Sequence, residues 1–176
     1  MRAKNGAVIG VSDHGGWAVM VTVARDGMLL DRRRVELVDD ALPAIPHHHE
    51  GQMLPVAQAV ALVERVRASA EQHAARALDA AAAAVPGIEG IALRSCPPLP
   101  PTIAECISDH RARNVADWVM YRKALASAAG ARDWVVYWYD KKQALEVAGE
   151  LPKQSPPWNV DYRLAMAAAI MARAVR

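Results

Sequence analysis

The first 38 residues constrain the fold more tightly than anything after them, because they pack three apolar, largely β-branched runs between two short turns. Ala7–Ser12 is the first run, and Asp13-His14-Gly15-Gly16 is the turn that follows it. Trp17–Ala24 is the second run. Arg25-Asp26-Gly27 then supplies a tight hairpin, since Asp-Gly takes the positive φ angles such turns need. Met28–Val38 is the third strand, with Leu30, Val35 and Leu37 apolar and Arg32–Arg34 on an edge or solvent side. Connections this short join only antiparallel neighbours, so the chain opens as a three-stranded antiparallel meander.

The remainder alternates between helix and strand. Asp39–Leu54 is a loop holding Pro43, Pro46 and the run His47-His48-His49-Glu50. Pro55 suits the first turn of a helix, where a missing N–H costs nothing. Val56, Val60, Val63, Ala70, Ala74 and Leu78 then recur at helical spacing, predicting a helix to about Ala84. After Pro86-Gly87, Ile88–Cys96 is a short apolar run suited to a buried parallel strand, and Pro97, Pro98, Pro100 and Pro101 make a stiff extended loop. Thr102 with Glu105 has the pattern of a capping box; helix follows to Gly130, broken near Ser108 and Asp109. Trp134–Tyr139 is a strand, Lys141–Glu150 a short helix and Asn159–Ala174 a last Ala-rich helix. The order β-β-β-α-β-α-β-α predicts an α/β domain spanning residues 1–176. It has a mixed five-stranded sheet with helices on its faces, whose strands near Ser12, Val38, Cys96 and Asp140 end at one edge. Ligands favour the carboxyl ends of strands in such sheets.

Composition excludes some classes of function. With 176 residues, 53% of them hydrophobic and 23% charged, wholesale disorder is ruled out. No run approaches the ~18 apolar residues of a membrane span, so a cytoplasmic protein without a membrane partner is expected. The formal net charge of +2 is too mild for a grip on a long duplex. Any nucleic-acid partner should therefore be short, or the ligand a small phosphate compound. Cys96 and Cys106, ten positions apart, match no zinc-ligand spacing and are expected as reduced thiols. The small-residue face of the last helix suits either packing on the domain's own sheet or a homo-oligomer contact.

The segment Val8-Ile9-Gly10-Val11-Ser12-Asp13-His14-Gly15-Gly16-Trp17 resembles the first hairpin of the ribonuclease H-like superfamily, in which an apolar strand ends in Asp, a Gly follows and a second apolar strand returns. It is most similar to a group of uncharacterised nucleases of that superfamily whose hairpin reads Gly-Val-Asp followed by Gly-Gly-Trp. The resemblance implies a ribonuclease H-like fold over nearly the whole chain. It also implies a metal-dependent phosphoester hydrolase, a nuclease acting on nucleic acid or a nucleotide. Asp161, near the beginning of the last helix, matches the last acid of the family and is implied as a catalytic metal ligand. Aligned on Gly10-Val11, the family's first catalytic Asp falls on Ser12, with Asp13 one place later, and strand four ends in Arg94-Ser95-Cys96 without an acid. The alternative is accordingly a catalytically inactive binding or assembly module that lacks the full acidic site.

Several residues at the expected edge carry suitable chemistry. Two-metal phosphoryl transfer needs carboxylates around ions ~4 Å apart; Asp13, Glu50, Asp140 and Asp161 are available. In an extended segment His47 and His49 would share one face, and with Glu50 and Asp13 or Asp161 they would suit Mg²⁺ or Mn²⁺, or Zn²⁺. A solvated loop is the plainer reading of the histidines, and a dipole-complementing first-turn acid that of Asp161. Gly15 and Gly16 read either as a cradle whose N–H groups approach a phosphate or as a hairpin requirement. Arg94 reads as a phosphate ligand or as an ordinary salt-bridged side chain.

Overall fold

The computed structural model describes residues 6–175. Strands β1 (Ala7–Asp13), β2 (Trp17–Val23) and β3 (Leu29–Glu36) form the meander, followed by helix α1 (Val56–Ala84) and strand β4 (Ile88–Arg94). Helices α2 (Ile103–Ser108) and α3 (His110–Gly130), strand β5 (Val135–Tyr139), and helices α4 (Lys141–Glu150) and α5 (Val160–Arg173) complete the chain. The sheet has five strands in the order β3-β2-β1-β4-β5. The two β-hairpin pairings are antiparallel, from Val8↔Val23 to Asp13↔Ala18 and from Trp17↔Glu36 to Val23↔Leu29. β1 runs parallel to β4, and β4 to β5. The sequence-predicted mixed sheet and element order are those observed. Among the described residues no helix is long and apolar enough to cross a membrane.

β1 lies at the centre and is covered on both faces, which is why it reads as an almost unbroken apolar run. Its alternation divides the core in two. Ala7, Ile9 and Val11 pack with Val63, Val66 and Ala70 of α1 and with Tyr121 and Leu125 of α3. Val8 packs on the opposite face with Val19, Val21 and the α5 residues Ala165, Ala168 and Ala169. The small-residue face of α5 is thus taken up by the domain's own sheet. Gly10 makes this approach possible, because a Cβ there would overlap the Ala165 carbonyl oxygen on α5.

Local signals set the ends of the elements. The Thr102–Glu105 capping box forms, with Glu105 N donating to Thr102 Oγ1 at 3.2 Å and Thr102 N to Glu105 Oε2 at 3.0 Å. The break near Ser108 is a second cap: Asp109 Oδ1 accepts from Ala112 N at 2.8 Å and starts α3. Asp140, considered above as a metal ligand, caps α4 through Gln143 N at 2.9 Å. β3 is an edge strand whose Arg34 lies over the Trp17 ring at 3.8 Å and whose Arg32 lies 5.8 Å from the Trp158 ring.

Replacing Gly10 by Ala should lower stability by about 3 kcal/mol, the upper range for overpacking, because the obstacle is α5 backbone and not a movable side chain. Urea unfolding of Gly10→Ala beside Gly10→Ser checks this; both variants should lose stability, and a wild-type midpoint for either would refute the close approach.

Candidate functional site

The carboxyl ends of β1, β4 and β5 meet the beginnings of α4 and α5 at one edge, and the pleat of β1 sorts the side chains there. Ser12 faces α5. Its Oγ donates to Asp161 Oδ1 at 2.8 Å, and His14 Nε2 donates to the same oxygen at 2.7 Å. His14 is stacked on Trp17, with ring centroids 4.0 Å apart. Asp161 is held in place because Asn159 Oδ1 caps α5, accepting from Asp161 N at 3.0 Å and Tyr162 N at 3.3 Å.

Asp13 remains in the strand and turns the other way. Its Oδ2 accepts from Arg122 Nε of α3 at 2.9 Å, and both side chains are nearly sealed, 2% and 5% exposed respectively. Arg122 Nη1 donates in addition to the Ser95 carbonyl at 3.2 Å. Burial holds the Asp13 carboxyl above its ordinary value of 3.8, against the opposing pull of the Arg122 guanidinium. Tyr139 closes the floor: its hydroxyl donates to the Val11 carbonyl at 2.7 Å, and burial together with the nearby Asp13 pushes its phenol well above the usual range.

The histidine run does not form an extended strand. Residues 47–49 make a turn leading into a 3-10 helix at Glu50–Met53, so His47 and His49 do not share a face. His47 is buried against α3. Its Nδ1 donates to Asp117 Oδ1 at 2.7 Å and its backbone N to the same oxygen at 3.0 Å, while His48 N donates to Asp117 Oδ2 at 2.9 Å. Asp117 thereby clamps the loop to the helix. His49 is 66% exposed and lies 3.5 Å from Glu50. Gly15 and Gly16 pack against the loop that follows β3, facing Ile45 and Ala44 respectively, and Gly16 has φ 87°. That positive φ accounts for a glycine at this point of the hairpin.

A divalent ion needs several carboxylates or imidazoles converging on one point. Among the described residues no group of three or more His, Cys, Asp or Glu is placed to hold one. One expected acid is Ser12, Asp13 is engaged by a guanidinium on the opposite face, and among the described residues the Asp161 carboxylate is hydrogen-bonded by Ser12 and His14 alone. This donor set does not fit the two-metal centre that the ribonuclease H-like resemblance implies.

Beside these groups a cleft of about 520 Å³ opens between β4, β5 and α3. It is lined by Arg94, Asn114, Trp118, Arg122 and Lys141, among others. A larger cavity of about 1000 Å³ lies under the Pro97–Pro101 loop, between α1 and α3, and includes His47, Cys96 and Cys106. Of the residues at the edge, Arg122, Trp118, Asp117 and Tyr139 were not singled out as site residues from the sequence. A signal for two of them was present: Asn114, Trp118 and Arg122 recur every four residues and so share one stripe of α3.

The mixed sheet with its two helical layers is the ribonuclease H-like α/β fold. It is shared with the solved structure of Thermus thermophilus RuvC in complex with a Holliday junction substrate, at TM-score 0.53 and 15% identity over 97% of this chain and 95% of that one. A further structure of Thermus thermophilus RuvC matches with TM-score 0.50 and 14% identity over the same shares. At these identities the likeness concerns the fold. No protein-family model matches the chain, and no curated protein sequence matches it.

Arg122→Met should cost about 3–5 kcal/mol at neutral pH, because it strands a buried carboxylate. The cost should shrink as the pH falls. A carboxyl whose folded pKa is raised gives its full stabilisation below the unfolded value of 3.8 and loses it as pH rises through the folded one. Denaturant unfolding of Arg122→Met and wild type at a series of pH values measures the difference; a pH-independent gap would contradict the assignment.

Proposed function

We propose that this chain is a binding module of the ribonuclease H-like fold that takes a nucleic-acid strand or a nucleotide and does not hydrolyse phosphodiesters by two-metal chemistry. The observation that carries the reading is the buried Asp13–Arg122 pair. It commits one candidate acid to a fixed guanidinium, while Ser12 occupies the strand position from which a second carboxylate would reach Asp161. The fold likeness to RuvC, whose solved structure holds a Holliday junction substrate, supports a nucleic-acid ligand. The net charge of +2 favours a short strand or a small phosphate compound over a long duplex.

A second reading, a metal-dependent hydrolase with Asp13 and Asp161 as catalytic acids and His47, His49 and Glu50 assisting, draws support from the Ser12–Asp161–His14 cluster alone. The two readings separate in one experiment. Purified protein is incubated with four-way-junction and single-stranded DNA in Mg²⁺ and in Mn²⁺, and Mn²⁺ affinity is measured by calorimetry for wild type and Ser12→Asp. The binding-module reading expects no cleavage by wild type and at least a ten-fold tightening of Mn²⁺ binding in Ser12→Asp, which adds a carboxylate beside Asp161. Wild-type cleavage that needs Mn²⁺ and disappears in Asp161→Asn would overturn it.

A further inference from the structure

We infer that the cleft over Arg122 is a receptor for a phosphomonoester bearing an aromatic base, either a free nucleoside monophosphate or the same group at the 5′ end of a strand. This rests on the phosphate-ligand part of the function proposed above and adds where and by which groups the ligand is held.

The anchor is Arg122. The residue is 4% exposed, yet it lines the cleft. Its Nε and Nη1 are fixed by Asp13 and the Ser95 carbonyl, and among the described residues Nη2 has no partner. A guanidinium stays charged in any protein environment and suits phosphate oxygens geometrically. Because two of its nitrogens are already held, its orientation is set before a ligand arrives, which lowers the ordering cost of binding.

Two further cations line the same cleft. Arg94 is half-buried where β4 ends, and Lys141 is exposed at the first turn of α4. Among the described residues neither has an ion-pair or hydrogen-bond partner. Asp13 is paired with Arg122, and Asp140, which also lines the cleft, accepts from the Gln143 N–H that it caps. Arg94, Arg122 and Lys141 outnumber these two carboxylates, so the cleft keeps a net positive charge that a phosphate complements.

The α3 wall gives the other half of the ligand. Trp118 and Val115 are half-buried, Asn114 is exposed, and all three line the cleft. An indole offers a stacking surface that accepts any base, and a carboxamide carries a donor and an acceptor for a base edge. Ser95 and Pro97 form part of the remaining boundary. A volume of about 520 Å³ falls within the range of small-molecule sites.

Calorimetric titration in EDTA, where no divalent ion takes part, tests the assignment with adenosine 5′-monophosphate, adenosine, inorganic phosphate, and an oligonucleotide with and without a 5′-phosphate. Adenosine and inorganic phosphate should each bind at least ten-fold more weakly than the monophosphate. Arg94→Ala and Lys141→Ala, at positions that hold no other side chain in place, should each weaken the monophosphate about ten-fold with unchanged thermal unfolding. Trp118→Leu should remove the preference for monophosphate over inorganic phosphate. A 5′-phosphorylated strand binding more tightly than the monophosphate identifies the strand end as the source of the group, and the reverse order identifies the free nucleotide; both support the site. Absence of binding by every phosphate ligand, equal affinity for inorganic phosphate, or wild-type affinity in both cation variants would overturn it. Mn²⁺-dependent cleavage would refute the non-hydrolytic reading and leave this site intact, whereas a silent titration would do the opposite.

Discussion

The pleat of β1 is the constraint on which the site depends. Successive residues of a strand point to opposite faces, so Ser12 and Asp13 cannot serve the same helical layer. Pairing with β4 as far as Gly10 and with β2 as far as Asp13 holds the strand in register up to the edge. Ser12 is consequently delivered to α5 and Asp13 to α3. The close seat of α5 over Gly10 completes the arrangement, since the helix must lie low on the sheet for its first turn to bring Asp161 within reach of a short serine hydroxyl.

Electrostatics then separates two ways of managing charge at a strand end. A cluster of carboxylates on one side of the sheet repels itself and calls for exchangeable cations from solvent. Here one carboxylate is buried and answered by a cation that is part of the chain. The desolvation of such a pair is costly, and it holds because a second guanidinium nitrogen is also engaged, by the Ser95 carbonyl. The pair also ties β1 to α3 and, through Ser95, to the segment after β4. Ser95 is bound in turn to Tyr139 through its backbone N–H at 2.9 Å and its hydroxyl at 3.0 Å. Three elements that share no local sequence are fastened at one point.

Much of the architecture was legible in the sequence because it is governed by local rules. Strand–turn alternation in the first 38 residues, the capping pattern at Thr102 and Glu105, and the four helical stretches read correctly from spacing and turn chemistry. The consequence of the offset between Ser12 and Asp13 was also visible, since it follows from the period of a strand. What could not be read were contacts set by tertiary packing. Asp13 and Arg122 are 109 residues apart, and His47 and Asp117 are 70 apart. The histidine run misled for a physical reason: alternation presumes an extended backbone, and the segment turns instead, so that Asp117 can take two of its N–H groups and one imidazole. Gly15 and Gly16 were open to two readings, and the positive φ of Gly16 and the packing of both residues under Ala44 and Ile45 account for them without a ligand.

The rims of the sheet have a bearing on how this chain behaves at high concentration. β3, one of the two outermost strands, carries three consecutive arginines; β5, the other, is five residues long. An unpaired strand edge is a template for recruiting strands from other molecules, and charge or shortness is what blunts it. The arginines of β3 that lie over Trp17 and Trp158 also cover aromatic surface that would otherwise attract a neighbour. Growth of this sheet from molecule to molecule, the route by which exposed strands become fibres, meets a cationic border on one side and too little backbone on the other.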